Sequence, residues 1–219
     1  MADKERIGLF GGTFNPIHSG HLRAAEIVQE TFSLSQVLFI PSYIPPHKVT
    51  QEIASPQDRL MMVELALAGN ARFKPCAIEV EAREKSYSIL TLEKIKRIYR
   101  GSSIFFILGV DSFLEIETWR EYERVLSQCS FVVISRPGYE LDRARDILGG
   151  KYQKEMYLVP SDKPLEERLL QTFKILLLRI DALDVSSTEV RRRIKNGDSL
   201  EGFIPREVEA YIKEKGLYR

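Results

Sequence analysis

The chain has 219 residues, 44% of them hydrophobic, and its 32 basic and 31 acidic side chains leave a formal net charge of +1. That balance fits an ordinary folded protein with a sizeable core and excludes both a disordered chain and a broad basic face that coats nucleic acid. Two cysteines, Cys76 and Cys129, are too few for a disulfide framework or a four-cysteine zinc site, so reduced thiols are expected.

The N-terminus carries no apolar segment of signal-peptide length, because residues 7–10 run straight into Gly11-Gly12. No apolar stretch approaches the roughly 20 residues that span a bilayer. A soluble, cytoplasmic protein without membrane or nucleic-acid partners is expected, and a homo-oligomer is compatible with the composition.

In chain order, a short apolar run at 7–10 predicts a strand, and Leu22, Ala25, Val28 and Phe32 predict a helix behind Gly20. A second strand follows at 37–40. Ser55-Pro56-Gln57-Asp58 then offers an N-cap, a proline at the first helical position and an acid three residues on, ahead of Leu60, Met61, Val63 and Leu67. Residues 77–80 are a weaker strand candidate. A helix over 88–98, a strand at 104–108, a helix over 121–126 and strands at 131–134 and 175–178 complete the pattern, and 179–219 reads as a mainly helical C-terminal extension.

The apolar runs are near-continuous and not strictly alternating, as in a parallel sheet covered on both faces. Strands alternating with helices imply an α/β fold with a doubly wound, Rossmann-like parallel sheet. With no repeat, low-complexity segment or long linker, residues 1–219 read as a single domain.

The most informative segment is Gly11-Gly12-Thr13-Phe14-Asn15-Pro16-Ile17-His18-Ser19-Gly20-His21-Leu22, directly after the first strand. Glycines let a backbone turn sharply and approach a ligand closely. A helix starting near Gly20 aims free N–H groups and a positive dipole end at the loop, which favours phosphate. His18 and His21, three apart, can face one point. The string is neither a Walker A loop nor GxGxxG. Two other readings stand beside phosphate binding: a plain glycine turn, and a three-histidine metal site of His18, His21 and His47.

His18-Ser19-Gly20-His21 resembles the (H/T)xGH signature of the nucleotidyltransferase superfamily. The wider string resembles GGTFxPxHxGHL of the bacterial nicotinate-nucleotide adenylyltransferase family. The resemblance continues, in family order, through 40–48 (IPSYIPPHK), Ser86-Tyr87-Ser88, Gly109-Val110-Asp111, Trp119, Ser135-Arg136-Pro137-Gly138 and Val185-Ser186-Ser187-Thr188-Glu189-Val190-Arg191. Asn15 stands where the family usually has Asp, Ile17 where it often has Pro, and Leu90 where an acid is common.

The resemblance implies attack of a nucleotide 5′-phosphate on the α-phosphorus of ATP, with pyrophosphate leaving. That nucleophile is already anionic, so no general base or covalent residue is needed, and catalysis rests on alignment and charge stabilisation. It implies His18 and His21 as catalytic residues, and ATP contacts from these two with Gly11, Gly12, Thr13, Phe14, Gly109, Asp111, Ser186, Ser187, Thr188 and Arg191. Nicotinate mononucleotide would meet Asn15, Lys48, Tyr87, Ser88, Trp119 and Arg136. Mg2+ is expected with ATP, held mostly by substrate and water, with no dedicated protein site.

The residues alone leave bland alternatives open. Ser186 to Glu189 matches an ordinary capping box, Lys48 an exposed loop lysine, Asp111 a helix cap and Trp119 a core residue. An acceptor other than nicotinate mononucleotide, namely nicotinamide mononucleotide or phosphopantetheine, also fits the loop, as does a noncatalytic nucleotide sensor. An RNA-charging synthetase core finds no support, since no KMSKS-like loop or basic surplus is present.

Overall fold

The computed structural model describes residues 4–44, 53–160, 165–181 and 183–219. Among these residues seven strands form one sheet: β1 (Arg6–Gly12), β2 (Gln36–Pro41), β3 (Phe73–Pro75), β4 (Ser103–Gly109), β5 (Ser130–Ile134), β6 (Met156–Val159) and β7 (Ile175–Leu178). Between them run α1 (Ser19–Thr31), α2 (Pro56–Leu67), α3 (Ile78–Ala82), α4 (Ser88–Ile98), α5 (Val110–Phe113), α6 (Tyr122–Gln128), α7 (Ala144–Ile147), α8 (Gly150–Gln153) and α9 (Glu167–Thr172). Helices α10 (Ser187–Asn196) and α11 (Arg206–Lys215) follow the last strand.

The order across the sheet is β3-β2-β1-β4-β5-β7-β6, and every pairing is parallel. The winding reverses between β1 and β4, so their carboxyl ends border the crevice where open sheets of this kind bind ligands. Side chains alternate between two cores, as the pleat requires. Phe10, Val37, Phe39, Phe105, Ile107, Val132 and Leu176 face α1, α2, α10 and α11, whereas Ile7, Leu9, Leu38, Phe106, Phe131, Val133 and Leu177 face α4, α5, α6 and α7. Burial on both faces explains why the strands lack polar alternation.

The expected α2 cap forms: Ser55 Oγ accepts the Asp58 amide at 3.0 Å, with Pro56 opening the helix. The C-terminal extension packs as expected, burying Val190, Leu200, Ile204, Val208 and Ile212 in the first core.

One expected element is corrected. Residues 77–80 belong to a short helix, α3, and the strand lies just before it at Phe73–Pro75. A four-residue run of alternating apolar residues also matches one helical turn, and the edge position of β3 accommodates Pro75. Strand β6, also at an edge, gives no signal strong enough to single it out. No helix among the described residues is long and apolar enough to cross a membrane.

Candidate active site

The crevice is built on the loop leaving β1. Gly11 and Gly12 close the strand in extended backbone, and the left-handed turn falls instead on Phe14, at φ 47°. What Gly12 contributes is space: a Cβ there would lie 3.1 Å from the Phe14 ring, while Gly11 opens onto empty space. Phe14, 2% exposed, folds under the loop against Phe10 and Phe39, and His21 meets its ring edge-on at 5.1 Å. Buried aromatics thus give the loop a fixed floor.

His18 is the N-cap of α1, and its backbone N–H donates to Nδ1 of His21 at 3.3 Å. The two rings stack with centroids 3.6 Å apart. His18 is buried and its Nδ1 has no hydrogen-bond partner among the described residues. Burial, reinforced by the positive charge of Arg136, pulls the His18 pKa from 6.5 to about 3, so the imidazole is neutral at physiological pH. Gly20 leaves room for that ring, since a Cβ there would sit 3.1 Å from His18 Nδ1.

The start of α10 docks directly on this loop. Ser187 Oγ donates to the Pro16 carbonyl at 2.9 Å, and Arg191 Nη1 donates to the Asn15 carbonyl at 2.9 Å. Ser186 Oγ takes the Glu189 amide at 3.1 Å. Only that half of the expected capping box forms, because the Glu189 carboxylate is engaged by Arg192 and Arg193, whose hydrogen bonds hold its pKa down to about 2. Helix geometry itself gives the first amides of α10, those of Ser187 and Thr188, no intrahelical acceptor.

Across the switch point, Gly109 ends β4 and is itself the N-cap of α5, so Asp111 lies inside the first turn and is not the cap. Its carboxylate faces Arg136, Oδ1 to Nε 3.7 Å, beyond hydrogen-bond length. Both atoms are buried without a hydrogen-bond partner among the described residues. The missing Cβ of Gly109 makes the approach possible: it would stand 2.3 Å from Asp111 Oδ1 and 2.8 Å from Arg136 Nε. Arg136 and the two histidines line a cleft together with Gly20, Ile134, Ile180 and Val185.

The acceptor-side residues lie by α4. Tyr87 is the N-cap of α4 without a side-chain cap hydrogen bond, and Ser88 opens the helix. The Arg120 guanidinium covers the Tyr87 ring at 5.0 Å, and Trp119 is half-buried, edge-on to Phe106 at 5.9 Å. Asn15 Oδ1 accepts the Ala54 amide at 3.0 Å and the Tyr218 hydroxyl at 2.7 Å. Burial raises the Tyr218 pKa, keeping that hydroxyl a donor. His47 and Lys48 lie outside the described residues, which leaves the three-histidine reading without a described third ligand. Among the described residues no group of three or more His, Cys, Asp or Glu side chains could hold a metal ion.

Two residues escaped sequence reasoning. Arg59 of α2 is fully buried against main-chain carbonyls, and Tyr218 reaches the loop from the C-terminus. Neither carries a local signal: Arg59 reaches Thr13 and Tyr43, 46 and 16 residues away, and Tyr218 reaches Asn15, 203 residues away.

A parallel sheet with a histidine-bearing loop at its switch point and a second helix start docked on that loop defines a nucleotidyltransferase-type α/β protein. The cytidylyltransferase-like family model matches residues 9–193, and the chain belongs to that family. It is 41% identical over 217 residues to a probable nicotinate-nucleotide adenylyltransferase of Desulfatibacillum aliphaticivorans, covering 97% of this chain and 99% of that one. A relative of the same name from Thermus thermophilus is 39% identical over 214 residues, covering 98% and 100%. Among solved structures, the Plasmodium falciparum nicotinic acid mononucleotide adenylyltransferase complexed with NaAD superposes with a TM-score of 0.71. It covers 98% of this chain and 97% of its own at 18% identity, a likeness of fold.

Proposed function

We propose that the chain transfers the adenylyl group of ATP to nicotinate mononucleotide, giving nicotinate adenine dinucleotide and pyrophosphate in NAD biosynthesis, as a cytoplasmic enzyme whose residues 1–219 act as one domain. The observation that carries this reading is the docking of two segments 171 residues apart in sequence, through the Ser187–Pro16 hydrogen bond, at the switch point of the sheet. It sets His18, His21, the α10 start and Arg191 around one loop. All are donors suited to phosphate oxygens.

In the reaction an acceptor phosphate oxygen bonds to the α-phosphorus while the bond from that phosphorus to the bridging oxygen breaks, and the electron pair leaves with pyrophosphate. His18 and His21 stabilise charge on the transferring group. Gly11, Gly12, Thr13 and Phe14 shape the loop, and Ser186, Ser187, Thr188 and Arg191 hold the outer phosphates. Gly109 and Asp111 meet the adenosine. Arg136, Lys48, Tyr87, Ser88 and Trp119 receive the acceptor, and Asn15 supports it by fixing the loop. Mg2+ would come as part of the ATP substrate and would supply charge neutralisation at its phosphates.

Pyrophosphate release from Mg-ATP with nicotinate mononucleotide, nicotinamide mononucleotide and phosphopantetheine as separate acceptors tests the reading. Fastest turnover with nicotinate mononucleotide is expected. Preference for another acceptor would replace the substrate, and absence of turnover with all three would favour a nucleotide sensor.

A further inference from the structure

Arg59 is completely buried, although an arginine on a helix ordinarily keeps its head in water. Its guanidinium is spent on three main-chain carbonyls from three segments. Nε donates to Ala54 O at 3.1 Å, Nη1 to Thr13 O at 2.8 Å and Nη2 to Tyr43 O at 3.0 Å. Thr13 belongs to the loop that carries the histidines. Tyr43 leads to the other half of the site: its N–H donates to Ser86 Oγ at 2.9 Å, and the Ser86 N–H donates to Ile44 O at 3.1 Å. Ser86 directly precedes the N-cap of α4. Through Ala54, whose N–H donates to Asn15 Oδ1, the same guanidinium is linked to the residue whose carbonyl binds Arg191.

We propose that Arg59 is a positioning residue that holds the phosphate-binding loop and the acceptor-binding helix start in register, so that the attacking phosphate is aligned with the α-phosphorus. The proposal rests on the adenylyl-transfer reading. Its physical basis is the planar fork: five donors fixed in one plane can bind three carbonyls from different directions at once, whereas a lysine ammonium gathers its donors at one point. A reaction that relies on alignment, with no covalent intermediate, is sensitive to such a link, since a misplacement of about 1 Å can cost on the order of 100-fold in rate.

The test compares the wild-type chain with Arg59→Lys and Ser86→Ala. Ser86→Ala removes the acceptor of the Tyr43 amide, and with it a hydrogen bond to the Glu79 carboxylate, without burying an unpaired cation. Pyrophosphate release gives kcat and KM, calorimetry gives the affinity for each substrate alone, and thermal unfolding gives the folded fraction. The expected result is a kcat per folded molecule lower by about 100-fold in Arg59→Lys and about tenfold in Ser86→Ala, with each substrate's separate affinity within about threefold of wild type. If Arg59→Lys does not fold, Ser86→Ala decides alone. A kcat within threefold of wild type in the folded variants, or a loss confined to KM, overturns the positioning role alone. No product from the wild-type chain overturns the adenylyl-transfer reading and the positioning role with it.

Discussion

The imidazoles of His18 and His21 stack at 3.6 Å between ring centroids, but their nitrogens have different surroundings. His18 is buried, with no partner for Nδ1 among the described residues, whereas His21 is half-buried with Nδ1 accepting the His18 amide. A neutral His21 therefore carries its proton on Nε2, which makes that nitrogen a donor. The capping contact thus fixes a tautomer suited to phosphate as well as starting α1.

The buried state of His18 has a pH signature. Its folded pKa of about 3 lies below the unfolded value of 6.5, so below pH 6.5 the unfolded chain binds a proton that the folded chain does not. Stability is therefore lost as pH falls from 6.5 toward 3, by up to roughly 1.4 kcal/mol per pH unit, and above 6.5 the group contributes no slope. Urea unfolding at pH 7 and pH 5 is expected to show a drop of roughly 2 kcal/mol from this source, absent in His18→Asn. An equal pH dependence in the two proteins would contradict the assignment.

His21→Ala removes one donor aimed at developing charge, and a loss on the order of 100- to 1,000-fold in turnover is expected. The substitution also deletes the acceptor of the His18 amide, a cap contact of about 1 kcal/mol, so α1 and the fold persist. Pyrophosphate release together with circular dichroism checks both halves. Near-normal turnover in a folded variant would remove His21 from the reaction.

Much of this site was legible because its parts are local. The α1 and α2 starts announce themselves within four residues of sequence, through His18-Ser19-Gly20-His21 and through Ser55 to Asp58. The order of apolar runs reveals a doubly wound sheet. Arg59 was illegible because its three carbonyls come from Thr13, Tyr43 and Ala54, and an arginine one turn into a helix otherwise reads as surface. The hydrogen bond between Asn15 and Tyr218 was equally illegible, because the two lie 203 residues apart. Strand and helix could not be separated at 77–80, where the run is too short for either period to prevail.

Gly109→Ala isolates the Asp111–Arg136 approach. The added Cβ would clash with Asp111 Oδ1 at 2.3 Å and Arg136 Nε at 2.8 Å, both atoms of partly exposed side chains that can swing away without moving the sheet. Thermal stability is expected to change little, while KM for ATP rises on the order of tenfold as charge-assisted contacts are lost. An unchanged KM for ATP would show that Asp111 does not serve the nucleotide.

Discrimination between nicotinate and nicotinamide is expected to lie at α4. Tyr87 caps that helix without a side-chain hydrogen bond, and helix geometry gives the amides of Ser88 and Ile89 no intrahelical acceptor, with the helix dipole favouring negative charge. A carboxylate gains charge-assisted bonds there that an amide does not, which corresponds to roughly 10- to 100-fold in catalytic efficiency. Ser88→Pro offers a sharper check than comparing the two acceptors alone. Proline is tolerated at the first helical position, and Tyr87 at φ -98° and ψ 122° already has the extended backbone required before proline. The substitution removes one amide donor while keeping the helix. It should lower efficiency with nicotinate mononucleotide more than with nicotinamide mononucleotide, and an equal loss on both would place the discrimination elsewhere.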